Sequence, residues 1–495
     1  MQTSRVPVNE TRTTYGTLKN YIDGQWKESR SAHAQDVVNP ATGEVIARVP
    51  LSTDEEVKEA IAAAQEAFQE WRETPPTKRV GFFFILKHLM EESFEDLSRT
   101  IVEEMGKTLD EARGEVRRSI EEVECACGIH SLMKGYVLDD VSPGVELKVL
   151  YEPLGVFCMV PPFNFPSMVP LEYLPYAVAT GNTYIVKPSS EVPISQVKIF
   201  ELMDKAGFPP GVVNLVHGRR NVVNTLLESP DIKGLSFVGS SPIAKLLYDK
   251  ASLNGKRAQC AGGAKNHVIV MPDADVERTV KASLSSFFGC GGQRCLAGAV
   301  AVPVGEAYEP FKKMFVEAAS KIKVGDGLKT DTDMGPLASR EHMEQVTKFI
   351  EIGVREGAKL LLDGRGVKVD GYPQGAFLGP TVFDEVTPEM TIAQEEIFGP
   401  VACIMRARDM DEALGFIEKS RFGHSAVIFT NGGNSAKKFA YRVPCGNIGI
   451  NVGVAATQAF STLGSVKDSF YGDLHGRAES VQFFTERKII ISRWF

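Results

Sequence analysis

Residues 287–300, FFGCGGQRCLAGAV, set Cys290 and Cys295 five positions apart among glycine, alanine and phenylalanine. Arg294 stands directly before the second cysteine. Such a stretch has three readings: a metal clip, a packing segment, or the seat of a reactive thiol. The spacing is not C-x-x-C and no histidines cluster nearby, so no metal site is expected. The small residues around Cys295 leave room for a substrate to reach its sulfur, and a thiolate there is a nucleophile. A buried, inert cysteine is the competing reading, and it is the one expected for Cys290.

Phosphate chemistry has candidates at two turns. VKPSSE (186–191) follows one apolar run, and FVGSSPIAK (237–245) follows another. A strand-to-helix turn of small residues offers free N–H groups and the positive end of a helix dipole to an anion. Glycine and serine also populate ordinary turns, so the pattern alone leaves both readings open. No G-x-G-x-x-G is present after any of these runs.

The elements that must position these residues follow from apolar periodicity. YIDGQWKES and VVNPATGEVIARVP read as short strands with turns. A helix is expected from Ser52, with Ser52 and Glu55 as a capping box and Val57, Ile61, Ala64 and Phe68 on one face. Helical sequence then continues to about residue 134. Short apolar runs follow at GVFCMVPP, NTYIVKP, GVVNLVHG, GLSFVGS and NHVIVMPD, separated by helix-compatible stretches. That alternation predicts an α/β protein with a mostly parallel, doubly wound sheet, which binds nucleotides at its strand ends. After the cysteine segment the alternation resumes in AGAVAVPVG, PVACIMRA, HSAVIFTN and CGNIGINVG, predicting a second α/β unit. The tail SVQFFTERKIIISRWF is β-prone and too apolar to stand alone in water, so a partner strand is expected, in this chain or in a neighbouring subunit.

The chain has 495 residues, long enough for two or three domains. Its net charge of −8 is spread along the chain, which argues against a nucleic-acid partner. No run is long and apolar enough to span a bilayer, so no membrane partner is expected. The first residues carry Arg5 and Arg12 with an acidic Glu10, and read as neither signal nor transit peptide. The eight cysteines form no disulfide framework, and a cytoplasmic location is expected.

PFNFP (162–166), VKPSSE (186–191), SFVGSSP (236–242), GQRC (292–295) and EEIFGP (395–400) occur in the order and spacing of the aldehyde dehydrogenase superfamily, which the chain resembles over nearly its full length. QCAGGAKNH, GEVRRSIEEVE, LMKG and KDSFYGDLH resemble its CoA-acylating methylmalonate-semialdehyde branch. The resemblance implies a nucleotide-binding domain over 1–134 and 151–258, a catalytic domain over 259–474, and an oligomerisation element at 135–150 and 475–495. A homodimer or homotetramer is implied. Cys295 would be the nucleophile, with the Asn164 amide holding the oxyanion. NAD or NADP would lie along Pro161, Phe163, Lys187, Ser190, Glu191, Arg219, Gly239, Ser240, Gly262, Glu396 and Phe398. Arg118 and Arg294 would grip a substrate carboxylate beside Phe163, since a guanidinium fork holds a carboxylate through paired hydrogen bonds. On the residues alone, Arg118 also reads as a helix-surface partner of Glu122.

The sequence departs from the family pattern where it matters. Hydrolytic members carry a general-base glutamate in E-L-G-G-K, and this chain has Ala261 at that position. Hydrolysis of a thioester needs a water deprotonated by a placed base. A thiol, with a pKa near ~8.5, ionises far more readily, so coenzyme A is the expected acyl acceptor. Ser190 stands where the family has a ribose-binding glutamate, with Glu191 displaced by one. Together with Arg219 and Arg220 this predicts tolerance of NADP. The segment 453–469 is rich in Thr, Ser and Gln, which fits a more polar, β-carbonyl or hydroxylated substrate. The expected reaction is NAD(P)-dependent, CoA-acylating oxidation of a carboxylated semialdehyde, with loss of the β-carboxylate for a malonate or methylmalonate semialdehyde. The rivals are a hydrolytic dehydrogenase of another anionic aldehyde, such as glyceraldehyde 3-phosphate, and a catalytically silent binding protein on this fold.

Overall fold

A computed structural model of the chain describes residues 15–472 and 479–494. The arginines and glutamate noted at residues 5, 10 and 12 lie outside the described residues. The helical opening is four successive helices, Asp54–Trp71, Pro76–Glu92, Phe94–Met105 and Leu109–Cys127, with a last turn at Ile129–Leu132. The capping box of the first sits one residue later than the sequence reading, on Thr53 and Glu56. Ser52 is instead buried in a hydrogen bond with Asn20, which removes it from the helix end. The face Val57, Ile61, Ala64 and Phe68 is buried as its period requires.

The first sheet has eight strands in the order Gln25–Lys27, Asn20–Ile22, Val213–Leu215, Thr183–Val186, Val156–Val160, Ile232–Val238, Arg257–Ala261, Phe470–Gly472. The strands from Val213–Leu215 through Arg257–Ala261 are parallel. Val156–Val160 and Thr183–Val186 are buried along their whole length, as expected of strands covered by helices on both faces. The chain winds outward in one direction from Val156–Val160 and then in the other from Ile232–Val238. The winding therefore reverses between these two neighbours, and their carboxyl ends open a crevice where doubly wound sheets bind ligands.

The second sheet has seven strands: Lys359–Leu362, Thr381–Asp384, Val401–Ile404, Gly298–Pro303, Asn266–Val270, Ser425–Phe429 and Asn447–Ile450. All run parallel except the edge strand Lys359–Leu362. The boundary read at 258/259 falls inside the strand Arg257–Ala261, which pairs with Ile232–Val238 in the first sheet. Phe470–Gly472, assigned by sequence to the second unit, also returns to the first sheet.

A third, antiparallel sheet joins Tyr136–Ser142, Val145–Pro153 and Thr485–Arg493. The tail thus pairs within its own chain along the whole length of Val145–Pro153. Its first part is not strand: Ser480–Phe484 is a helical turn that buries Phe483 and Phe484 in the core of the first sheet. The sheet leaves Tyr136, Val137, Leu138, Ile489 and Ile491 exposed.

Candidate active site

The loop carrying Cys295 follows the helix Val276–Phe288. Cys290, Gly291 and Gly292 have φ of 53°, 62° and 69°, three successive left-handed residues that turn the chain back sharply. A Cβ on Gly292 would collide with the Gly399 carbonyl, so glycine lets this loop meet the segment carrying Glu396 and Phe398. Beyond the turn, Gln293 is fully buried and fixes the loop at three points. Its Nε2 donates to the Cys290 carbonyl at 2.9 Å, its Oε1 accepts from Ala338 N at 3.0 Å, and its own carbonyl accepts from Asn164 Nδ2 at 2.9 Å. The carbonyls of Cys295 and Ala297 both accept from Asn266 Nδ2 at 2.8 Å, aligning the run into the strand Gly298–Pro303.

Asn164 sits just past the central strand Val156–Val160 and is buried. Lys107 Nζ donates to the Asn164 carbonyl at 2.7 Å and to Glu115 Oε2 at 2.6 Å. The other Glu115 oxygen accepts from Ser167 N at 2.8 Å and Met168 N at 3.2 Å. Both side chains of this ion pair are fully buried. A buried pair is held only when its remaining donors and acceptors are met, and here the surplus bonds all go to the Asn164–Met168 backbone. The pair therefore fixes the turn that presents the Asn164 amide.

Cys295 and Asn164 open onto one cavity of about 480 Å³, within the range of small-molecule sites. Phe163, Gly239, Ser240, Ala261, Gly262, Glu396, Phe398 and Arg118 also line it, so the structure brings most of the sequence-selected residues together. Among the cysteines of the described residues, Cys295 alone lines it. Its thiol is pushed up to about 12, first by burial and then by the charges of Glu172 and Glu396. Glu396 accepts from Ala264 N at 2.9 Å, and burial lifts its carboxyl to about 7. A Cβ on Gly263 would run into the Glu396 carboxylate, so the glycine keeps that approach open. Phe398 holds φ of 56°, unusual for a non-glycine residue, and packs edge-on to Phe163 at 5.7 Å between ring centres. His342 Nε2 donates to the Phe398 carbonyl at 2.7 Å, and burial lowers its pKa, which keeps the ring neutral.

Other sequence-selected residues lie elsewhere. Arg294 is absent from the cavity wall. It donates to Glu111 Oε1 at 2.9 Å, to Cys290 Sγ at 3.1 Å and to the Ser285 carbonyl at 3.3 Å. Glu111, which also accepts from Cys290 N at 2.6 Å, draws the guanidinium behind the loop and away from a substrate-gripping position. Cys290 thereby has a structural account, as the buried sulfur that receives Arg294. Arg118 does face the cavity, donating to Glu121 at 2.8 Å and to Gln458 at 2.9 Å. Its helix-surface partner is Glu121, not Glu122, which is buried and accepts from Tyr176.

Pro161 is buried at the end of its strand and does not line the cavity. Lys187, Ser190 and Arg219 gather around Gly218. Lys187 Nζ donates to the Pro188 and Gly218 carbonyls at 2.6 and 3.0 Å, and Ser190 Oγ donates to the Gly218 carbonyl at 3.1 Å. Burial, with the nearby Arg219 charge, lowers Lys187 to about 8. Glu191 and Arg219 line a second groove of about 360 Å³, where Arg219 donates twice to Gln35 at 3.0 and 2.6 Å. Arg220 is exposed at the start of the helix Arg220–Glu228. No group of metal-ligating side chains occurs among the described residues. Nor is any helix among them long and apolar enough to cross a membrane.

The site also contains residues the sequence reading passed over. Lys107, Glu115, Gln293 and Glu111 hold its loops, while His342, His424 and Glu172 line its cavity. Glu115 lies within GEVRRSIEEVE and Gln293 within GQRC, so the motifs mark these segments without giving the two residues a role, and MGKT around Lys107 is a further signal.

The chain and its fold have counterparts among known proteins. The family described as "Aldehyde dehydrogenase family" matches residues 26–490. The chain is 47% identical over 478 residues to malonate-semialdehyde dehydrogenase 1 of Geobacillus kaustophilus, covering 96% of this chain and 98% of that one. It superposes on the methylmalonate-semialdehyde dehydrogenase of Oceanimonas doudoroffii with a TM-score of 0.95 and 42% identity, covering 97% of this chain and 98% of that one. A structure from Sinorhizobium meliloti 1021, provisionally named a methylmalonate-semialdehyde dehydrogenase and complexed with NAD, gives a TM-score of 0.95 at 38% identity over 97% and 98% of the two chains.

Proposed function

The chain belongs to the aldehyde dehydrogenase family, and on that premise we propose that it oxidises a carboxylated semialdehyde with NAD(P) and passes the acyl group to coenzyme A. The observation that carries this reading is Ala261. It lines the cavity onto which Cys295 opens, and the resemblance places it where hydrolytic members of the family carry the base. The names of the malonate- and methylmalonate-semialdehyde relatives support the substrate class.

The residues fit a dinucleotide. The helix Ser241–Leu253 begins with no side-chain capping bond at Ser240, which leaves its first N–H groups to a pyrophosphate at Gly239 and Ser240. Lys187 and Ser190 stand ready for the ribose, and Glu396, Phe163 and Phe398 for the nicotinamide half. When bound, the nicotinamide supplies the acceptor for a hydride. Cys295 attacks the aldehyde carbon, and the Asn164 amide with the Cys295 N–H takes the negative charge that develops on oxygen. After oxidation the acyl group remains on the Cys295 sulfur as a thioester. With Ala261 in place of a base, water is a poor acceptor and a thiol takes the group.

The test mixes the enzyme with NAD(P) and malonate or methylmalonate semialdehyde, with and without coenzyme A. A burst of reduced coenzyme without coenzyme A, followed by steady turnover only when it is added, is the expected result. Equal steady turnover in its absence would refute acyl transfer to a thiol.

Coenzyme choice follows from the Gly218 cluster. Ser190 carries no charge to repel a 2′-phosphate, and Arg219 lines the adjoining groove, so both NAD and NADP support turnover in this reading. Arg219→Ala is expected to raise the KM for NADP by roughly tenfold, the worth of one exposed charge-assisted contact, and to leave that for NAD within about twofold. Initial rates with each coenzyme check this, and no turnover of the native enzyme with NADP would refute it.

The exposed apolar side chains of the third sheet support a homo-oligomer formed through Tyr136–Ser142 and Thr485–Arg493. The absence of a membrane-length helix among the described residues is consistent with a cytoplasmic enzyme.

A further inference from the structure

Among the described residues, one buried base in the cavity wall keeps a lone pair that no donor meets. His424 lies between the short strand Phe422–Gly423 and the strand Ser425–Phe429 and is 4% exposed. Phe422–Gly423 pairs antiparallel with Val466–Lys467, which sets Ser465 against the imidazole. His424 Nδ1 lies 3.1 Å from Ser465 Oγ, and that hydroxyl donates to the Ser469 carbonyl at 3.2 Å. A hydroxyl has one proton and a carbonyl only accepts, so Ser465 Oγ receives the proton of Nδ1. Nε2 is then the bare nitrogen. It is buried and has no hydrogen-bond partner among the described residues.

His424 lines the same cavity as Cys295 and Ala261. Gly298–Pro303, Asn266–Val270 and Ser425–Phe429 are parallel neighbours, and Cys295 and His424 stand just before the amino ends of the outer two. Asn266 on the middle strand ties them together. Its Nδ2 donates to the Cys295 carbonyl at 2.8 Å and its Oδ1 accepts from Ser425 N at 3.1 Å. The His424 carbonyl accepts from Asn447 N and Nδ2 at 3.0 and 2.9 Å, so the residue is fixed on that side too. Other bases on the wall are engaged. His342 Nε2 donates to the Phe398 carbonyl, and Glu396 accepts from Ala264 N.

We propose that His424 carries the proton of acyl transfer, its Nε2 accepting from the coenzyme A thiol and returning the proton to Cys295. This rests on the reading above that the acyl acceptor is a thiol. As the coenzyme A sulfur bonds to the acyl carbon, its proton passes to Nε2. The carbonyl electrons move to oxygen and return, the bond from carbon to the Cys295 sulfur breaks with its pair on that sulfur, and the Nε2 proton follows. The step suits a weak base. A thiol sulfur that has bonded to a carbonyl carbon is a far stronger acid than a free thiol, so a ring held by burial at about 4 can take its proton. Cys295, raised to about 12, is a stronger base than the ring and takes the proton back. The same ring is too weak to draw a proton from water, so it does not replace the glutamate absent at Ala261.

The experiment separates the two halves of the reaction. Enzyme, NAD and 3-oxopropanoate are mixed first and the burst of reduced coenzyme is read. Coenzyme A is then added and the formation of acyl-coenzyme A is timed. His424→Ala is expected to keep the burst and to slow the transfer by about 10²-fold or more, the worth of a placed proton acceptor. His424→Gln, which can accept a hydrogen bond but cannot pass a proton on, should be slowed nearly as much. With an aromatic thiol already ionised at the assay pH there is no proton to carry, so the loss in both variants should shrink to about threefold or less. A transfer rate unchanged by both substitutions, or a burst slowed as much as the transfer, overturns the proposal. So does a loss as large for the ionised thiol as for coenzyme A. Steady turnover of the native enzyme without coenzyme A refutes acyl transfer itself, and it is read before any substitution is made.

Discussion

Cys295→Ala is expected to remove both the burst of reduced coenzyme and the steady turnover, a loss of about 10⁴-fold or more. No other thiol can stand in. Cys290 is buried behind the loop with its sulfur accepting from Arg294, and it does not line the cavity. Without the sulfur the aldehyde has no covalent tether, and the hydride would have to leave a free hydrate. The same thiol should alkylate slowly in the enzyme alone. Burial, Glu172 and Glu396 all favour its neutral form and raise it to about 12, so the reactive thiolate is scarce at neutral pH. Iodoacetamide modification should accelerate about tenfold per pH unit through pH 8–10, with Cys295→Ala unlabelled at the cavity. A rate that levels off below pH 8 would contradict this electrostatic account.

The Cys295 loop and the sheets were legible in the sequence for a common reason: their signals are local. Val156–Val160, Thr183–Val186 and Asn266–Val270 are unbroken apolar runs, as strands covered on both faces must be. Glycines around Cys295 record a left-handed turn in which a side chain at Gly292 would meet the Gly399 carbonyl. What stayed hidden depends on partners far along the chain. Arg294 reads as a substrate grip because it abuts Cys295, yet its direction is set by Glu111 in a different helix. Ser52 reads as a cap until Asn20 claims it. Glu172 is one acidic residue in an apolar stretch, PSMVPLEYLPYAVA, and nothing in its neighbours says it faces a cavity.

Asn164→Ala is expected to lower kcat by about 10²- to 10³-fold, the worth of one oxyanion donor in a water-poor site, and to change KM little. The argument depends on how the amide is held. In the structure Asn164 Nδ2 donates to the Gln293 carbonyl, its backbone carbonyl takes Lys107, and Lys107 is locked to Glu115. The side chain is thus placed before any substrate arrives and needs no reorganisation when charge develops on the aldehyde oxygen. In the proposed binding mode Arg118 holds the carboxylate end of the ground-state aldehyde and Asn164 does not, so the loss should fall on kcat. Asn164→Asp is the sharper variant. It keeps the volume but puts a carboxylate where a donor is needed, so it should be at least as impaired as Asn164→Ala. If Asn164→Ala raised KM and left kcat intact, the amide would be a substrate-binding group and the oxyanion would have to be held by the Cys295 N–H alone.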